Sequence, residues 1–335
     1  MRIALDAMGG DRGAELIVDG ALSALRENSD LEIILLGPEE FLENILVEQS
    51  INSTLSDRLH IEHAPETIKM HESPVEAVRR KKDSTIMVGF DLVRNGHADA
   101  VVSAGNSGAT MAAAVKKLGR LKGISRPGIA SLFPTLKNPV MIMDIGANVD
   151  CRPPHLVQFA IMASSYTGKV LGIKKPRIGL LSIGEEAGKG NALVRETHDL
   201  LSDTSLNFIG NVEGRDVYQG DVDVIVCDGF IGNISLKVSE GLADAAMKML
   251  KSEIEKSFRA KLGYLLICKA FANFRKRVDY AEYGGAPLLG INGVGIVSHG
   301  KSNSTAIKNA IEVASVMIRN RVNDEILEAL VRYSS

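Results

Sequence analysis

Hydrophobic positions in this chain fall into short unbroken runs, and each run is cut off by a turn rich in Gly, Asn, Ser and Asp. Four junctions carry the pattern most clearly: 100–102 into the turn 103–110, 140–143 into 144–150, 178–181 into 182–191, and 224–226 into 227–233. Short apolar runs without polar alternation predict strands buried on both faces of a parallel sheet. In such sheets ligands bind beyond the carboxyl ends of the strands, where these turns fall. Glycine lets the backbone approach a ligand, and a helix opening after the turn aims N–H groups at an anion. The four turns are therefore expected to converge on one large polar site that handles phosphate.

Helix-period segments alternate with these runs almost from end to end, which predicts a layered α/β fold. Residues 2–6 read as a first strand, followed by a helix with Ile17, Ala21, Ala24 and Leu25 on one face. Residues 31–36 read as a second strand, stopped by Gly37 and Pro38; Pro38, Glu39 and Glu40 then open a helix. Ser73, Pro74 and Glu76 mark another helix start. No linker or internal repeat divides the chain, so 1–335 is read as a single domain. The pattern changes only over about 235–278, which holds no strand but two helix-period stretches hinged near Gly263. The first carries Leu242, Ala245, Ala246, Met249, Leu250, Ile254 and Phe258, the second Leu262, Leu265, Leu266, Ala270 and Phe274. This segment is read as a protruding helical hairpin.

Composition adds limits. With 335 residues, 45% hydrophobic and 24% charged, the chain can bury a large core like an ordinary globular protein. A net charge of −2 gives no global attraction to nucleic acid or anionic membrane. Scarce aromatics and the absence of Trp argue against a stacking platform, so no nucleic-acid partner is expected. Locally the balance reverses. Lys251, Lys256, Arg259, Lys261, Lys269, Arg275, Lys276 and Arg277 face only Glu253 and Glu255, a net +6 within the hairpin. One reading is a hairpin packed in a dimer with a solvated basic face. The other is a docking surface for an acidic partner or a membrane interface, with Tyr264, Leu265, Leu266, Ile267 and Phe271 beside the charge. Both readings stand. Cys151, Cys227 and Cys268 form no CxxC and are read as buried structural thiols; no metal site is expected. The first strand begins at residue 2, and no apolar run reaches the roughly 20 residues of a spanning helix, so a cytoplasmic location is expected.

Residues 295–302 match the P-loop string, yet no downstream strand offers the acid that helps hold magnesium. The 33 residues after Ser302 read as helix, so a plain strand–turn–helix junction is expected instead of an ATP site. No G-x-G-x-x-G follows the first strand, and Ser107 lacks the spacing of a nucleophile elbow. His71, His155 and His299 read as surface or helix-start residues. What remains is Asn106, Ser107, Asp144, Asn148, Lys189, Asn191, Asp228 and Asn233, a constellation with no protein nucleophile. Such a set suits the orientation of two substrates, one of which supplies the nucleophile. Inorganic phosphate attacking an acyl carbonyl is one case, with Lys189 neutralising phosphate or the developing oxyanion and Asn233 donating to that oxyanion. The competing reading is that these Asn and Asp residues shape turns and cap helices.

At these residues the chain resembles a known family. The motifs are Asp6-Ala-Met-Gly-Gly-Asp11, the turn 103–110, Asp144-Ile-Gly-Ala-Asn148, Glu185 and Glu186 with Lys189-Gly-Asn191, Asn211-Val-Glu-Gly214 and Cys227-Asp-Gly-Phe-Ile-Gly-Asn233. Together with 284–293 they are similar to the bacterial phosphate:acyl-(acyl carrier protein) acyltransferases, PlsX, over essentially the whole length. A small residue is expected where Lys301 stands, which makes the P-loop match a coincidence and leaves a contact of Lys301 with phosphate open. The resemblance implies a homodimeric three-layer α/β/α sandwich with a mostly parallel sheet, isocitrate dehydrogenase-like and phosphotransacetylase-like. It implies a reversible conversion of an acyl-acyl carrier protein thioester and inorganic phosphate to acyl phosphate and free carrier, with no cofactor. The product would pass to a membrane glycerol-3-phosphate acyltransferase in phospholipid synthesis. Lys189 and Asn233 are the implied catalytic residues. Gly9, Gly10, Asp11, Ser103, Asn106, Ser107, Asp144, Asn148, Asn191 and Asp228 form the expected substrate-binding set. Lys256, Arg259, Lys261, Leu265, Leu266, Lys269 and Phe271 would dock the acidic carrier or the membrane surface, making the protein peripherally membrane-associated. The alternatives are a phosphotransacetylase-like enzyme using acyl-CoA and a non-catalytic acyl-carrier-binding regulator.

Overall fold

The computed structural model describes residues 1–49, 53–278 and 284–333. Its strands are β1 (Arg2–Asp6), β2 (Glu32–Gly37), β3 (Leu59–His63), β4 (Ala100–Ser103), β5 (Gly128–Phe133), β6 (Val140–Met143), β7 (Ile178–Leu181), β8 (Phe208–Val212), β9 (Val224–Val226), β10 (Ala286–Leu289) and β11 (Val294–Val297). The helices up to the sheet's middle are α1 (Ala14–Glu27), α2 (Glu39–Glu48), α3 (Ser53–Ser56), α4 (Pro74–Arg80), α5 (Thr85–Arg94), α6 (Ser107–Leu118) and α7 (Pro153–Val170). They are followed by α8 (Ala192–Ser202), α9 (Gly229–Glu255), α10 (Phe258–Val278), α11 (Ser304–Arg319) and α12 (Val322–Tyr333).

All these strands join one mixed sheet in the order β3-β2-β1-β4-β11-β10-β5-β6-β9-β7-β8. Successive residues of a strand point to opposite faces, and here both faces are apolar. Ile3, Leu5, Ala100, Val102, Met141 and Met143 enter one core with α1, α7, α11 and α12. Ala4, Val101, Val140, Ile142 and Ile225 enter a second core with α4, α5 and α6. The result is the expected three-layer α/β/α arrangement.

The four turns expected to converge on one site do not all lie at one end of the sheet. Two short connections, 134–139 and 290–293, close the antiparallel pairs β5/β6 and β10/β11, since parallel neighbours need a long crossover. β10 and β5 are also antiparallel. Three reversals therefore separate β4 from β6, while β11 is parallel to β4, and β9 and β7 follow β6. The turns after β6, β7 and β9 share one end; the turn 103–110 joins those after β1 and β11 at the other. Four steps of sheet twist between β4 and β6 turn the two halves by about 80–100°.

α9 links the two sets. Asp228 caps it: its Oδ1 accepts the N–H groups of Phe230 and Ile231 at 2.9 Å. Gly229 and Gly232 are the only buried residues of α9, and a Cβ on Gly232 would stand 1.9 Å from the carbonyl oxygen of Asp144. After Gly232 no described side chain up to residue 274 is buried, so α9 and α10 project from the body of the fold. The break between them lies at 256–257, not near Gly263. Ser257 starts α10 by accepting the Lys261 N–H on its carbonyl, and Gly263 lies inside that helix with open space around it. Of the three cysteines only Cys227 is buried; Cys151 is half-buried, and Cys268 is exposed on α10, which corrects the reading of all three as core thiols.

Gly232→Ala should lower stability by about 1–3 kcal/mol or more, because a Cβ has no space against the Asp144 carbonyl. Gly263→Ala should leave stability equal or raise it by about 0.5–1 kcal/mol, as for a helix-interior glycine with open space at its Cβ position. Urea unfolding of the two variants side by side checks this contrast.

Candidate active site

In the first set of turns the polar groups are spent on one another. Asp6 is buried, and its Oδ2 accepts the Ser103 hydroxyl at 2.6 Å while Oδ1 accepts the Met8 N–H at 3.2 Å. Ser103 Oγ in turn accepts the Gly105 N–H at 3.0 Å. Burial pushes the Asp6 carboxyl pKa up, and the bond from Ser103 opposes it. A Cβ on Gly9 would meet Asp6 Oδ2 at 2.6 Å and the Gly105 nitrogen at 2.8 Å, so this position admits only glycine. Gly10 has a φ of 95° and leads to Asp11, whose N–H donates to the Gly300 carbonyl at 2.7 Å. Asn106 caps α6 through the Ala109 N–H and donates its amide to the carbonyls of Lys69, Met70 and Glu72. Ser107 is exposed, and its N–H with that of Gly108 opens α6 without an acceptor among the described residues. Ser302, from the P-loop-like string, is buried against Ser298, with 2.7 Å between the hydroxyls.

The second set is built on Asp144, which is fully buried. Its Oδ1 accepts the N–H groups of Ile129, Gly146 and Ala147 at 3.0–3.1 Å. Its Oδ2 accepts the backbone N–H and side-chain amide of Asn148 at 2.7 and 2.9 Å. Burial pushes the Asp144 pKa up, and these donors pull against that. Asn148 also donates to the Pro127 carbonyl, and its own carbonyl accepts the Gly229 N–H. The first four N–H groups of α9 are all engaged, by Asn148 and Asp228. The expectation that this helix offers them to an anion therefore fails. Asn191 caps α8 through the Val194 N–H. Ser103, Asn106, Asp144, Asn148, Asn191 and Asp228 thus serve as the turn-shaping and capping residues that the sequence left open as the competing reading.

Two expected residues of the second set keep their polar ends available. Lys189, in the β7–α8 turn, is exposed, forms no ion pair among the described residues, and lays its stem over Gly184. Asn233, one helical turn into α9, is exposed and lies over Gly146, where a Cβ would come within 3.6 Å of its side chain. β7 and β9 are neighbours in the sheet, so both groups stand at the same end of adjacent strands. In the same region Ser182 Oγ and Asn211 Oδ1 are buried without a partner among the described residues. The nearby thiols are poor nucleophiles. Burial and the charges of Asp144 and Asp228 push Cys151 up to about 11 and Cys227 well above its ordinary value.

The sequence reading missed the residues that join the two sets. Lys237 and Glu240 on α9 meet His299 from the turn after β11, with Lys237 Nζ 3.3 Å from His299 Nε2 and 2.8 Å from Glu240 Oε2. His299 is half-buried here and not a plain surface residue; burial, then the Lys237 charge, hold its pKa down. Asp6 was visible only as part of a motif. Lys237 and Glu240 carry an i,i+3 spacing, the one local signal they offer. Around the site Val149, Ile183, Phe230, Ile231 and Ile234 are exposed apolar residues.

On the projecting helices Lys256, Arg259, Lys261, Leu265, Leu266 and Lys269 are exposed. Lys256 pairs with Glu253 at 2.6 Å, which offsets part of the positive charge. Phe271 is half-buried, edge-on to Tyr264 at 5.4 Å between ring centres. Among the described residues no helix is long and apolar enough to cross a membrane.

The profile of a family described as fatty acid synthesis protein matches residues 1–325. A phosphate acyltransferase of Geobacter sulfurreducens is 54% identical over 330 residues, covering 98% of this chain and 94% of the relative. One from Pelobacter propionicus is 55% identical with the same coverage. The fold is similar to the EutD phosphotransacetylase of Staphylococcus aureus, with a TM-score of 0.63, 17% identity, and 95% and 94% of the two chains covered. A phosphotransacetylase of Streptococcus pyogenes aligns with a TM-score of 0.62, 21% identity and the same coverage. These two likenesses concern the fold. The identity to the acyltransferases, over nearly the whole chain, concerns the activity: the chain belongs to the phosphate acyltransferase (PlsX) family and is an acyltransferase.

Proposed function

We propose that this acyltransferase moves a long acyl chain from acyl carrier protein to inorganic phosphate by direct attack of phosphate on the thioester. A phosphate oxygen bonds to the carbonyl carbon, the carbon–sulfur bond breaks, and the sulfur leaves with the electron pair as the carrier's thiolate, which takes a proton from solvent. The reaction is reversible because a thioester and an acyl phosphate are both activated acyl groups. The observation that carries this reading is that Lys189 and Asn233 present open polar ends at neighbouring strands, while Ser103 and the nearby thiols are committed or protonated. Lys189 balances the charge of phosphate or of the oxyanion, and the Asn233 amide donates to the oxyanion.

The exposed apolar residues Val149, Ile183, Phe230, Ile231 and Ile234 favour a long chain over an acetyl group. Arg259, Lys261 and Lys269 on α10 suit an acidic carrier, and Leu265 and Leu266 suit a membrane surface. We read the protein as one acyltransferase domain acting as a homodimer in the cytoplasm, associated peripherally with membrane. Its acyl phosphate would pass to a membrane glycerol-3-phosphate acyltransferase in phospholipid synthesis. The fold's likeness to phosphotransacetylases supports a second reading in which acyl-CoA is the donor.

With hydroxylamine trapping acyl phosphate as hydroxamate, palmitoyl-acyl carrier protein should give phosphate-dependent product and palmitoyl-CoA or acetyl-CoA little; equal rates from CoA thioesters would favour the second reading. In the same assay Lys189→Ala and Asn233→Ala should each lose on the order of a hundredfold in rate while staying folded, the scale of losing one oxyanion donor. Near-normal turnover in both would remove this assignment. Leu265→Glu with Leu266→Glu should abolish sedimentation with anionic phospholipid vesicles and spare turnover in solution.

A further inference from the structure

The mechanism above leaves one cationic cluster unused. Lys237 stands four residues after Asn233, about 6 Å farther along the axis of α9, and helical side chains lean back toward the N-terminus. Its stem therefore inclines toward the catalytic turn. Its ammonium ends at His299, in the turn that begins beyond β11 and accepts the Asp11 N–H on Gly300. Lys237 thus sits where the two sets of turns face each other.

The hydrogen bonds of Lys237 leave it ready for an anion. A lysine ammonium has three donors and no acceptor. Glu240 Oε2 takes one of them at 2.8 Å. His299, neutral at pH 7 because burial and the Lys237 charge hold its pKa down, has a single ring lone pair. The Lys301 N–H already approaches that ring at Nδ1, 3.1 Å away. With the lone pair on Nδ1, Nε2 carries a proton and accepts nothing from Lys237. With the lone pair on Nε2, it takes one Lys237 donor. In either tautomer at least one Lys237 N–H has no acceptor among the described residues. Glu240 and His299 hold the ammonium in place without saturating it.

We propose that Lys237 is a phosphate-binding residue of this site, holding the attacking phosphate across the seam while Lys189 and Asn233 act at the carbonyl. The assignment rests on the phosphate-acyl-transfer reading for its substrate, and its geometry is independent of Lys189. Lys237 acts on bound phosphate before the chemical step, so its loss should appear in the phosphate KM more than in kcat.

The test compares wild type, Lys237→Gln and Lys237→Arg by two readouts. In the hydroxamate assay Lys237→Gln should raise the phosphate KM roughly tenfold or more, the scale of one charge-assisted hydrogen bond. Its KM for palmitoyl-acyl carrier protein should stay within about twofold, and Lys237→Arg should restore most of the phosphate KM. In thermal unfolding with inorganic phosphate alone, wild type should gain Tm and Lys237→Gln should not. An unchanged phosphate KM, or an equal Tm gain in wild type and Lys237→Gln, would overturn the proposal. A Tm gain lost in Lys237→Gln, in a wild type that turns over no acyl donor, would uphold the anion site and refute acyl transfer to phosphate.

Discussion

The site depends on one buried carboxylate. Asp144 accepts N–H groups from Ile129, Gly146, Ala147 and both nitrogens of Asn148, and its backbone carbonyl is the surface on which Gly232 is seated. Removing the side chain would leave several buried N–H groups without an acceptor, each costing about 1–3 kcal/mol. The same turn fixes where α9 begins, because Asn148 accepts the Gly229 N–H. The position of Asn233 over Gly146 follows from that seat. Asp144 is thus remote in role from the chemistry and decisive for its geometry.

The second constraint is topological. Short connections at 134–139 and 290–293 reverse the sheet's direction between β4 and β6, which sends two sets of glycine-rich turns to opposite strand ends. A single helix then spans the gap. α9 starts in the second set at Asp228 and, within about three turns, reaches His299 of the first through Lys237 and Glu240. A site shared between two halves joined by one helix suits the proposed transfer, in which a phosphate and a bulky thioester are brought together.

Much of this was legible in the sequence. The unbroken apolar runs identified the strands of both halves, because a strand buried on two faces has no polar alternation to hide it. The helical period from Leu242 onward marked the exposed part of α9, but residues 229–233, where that helix begins, were read as a turn. That the four turns lie at opposite strand ends was not legible, because strand direction depends on pairing, which the runs themselves do not encode. Gly263 looked like a hinge because glycine weakens helices, yet the actual break follows the Ser257 start signal. The roles of Asn106 and Asn191 could not be separated from substrate binding by residue type alone, since an amide caps a helix or binds a ligand with the same atoms. Lys237 and His299 lie 62 residues apart, and no local pattern connects them.

In the proposed transfer the protein contributes no nucleophile. Cys151 and Cys227 are held protonated by burial and by Asp144 and Asp228, and the Ser103 hydroxyl is donated to Asp6. The most direct measurement is a rapid-quench incubation of the protein with a stoichiometric amount of palmitoyl-acyl carrier protein in the absence of phosphate. Neither free carrier nor acylated protein should form until phosphate is added. A burst of free carrier matched by acyl groups bound to the protein would contradict this.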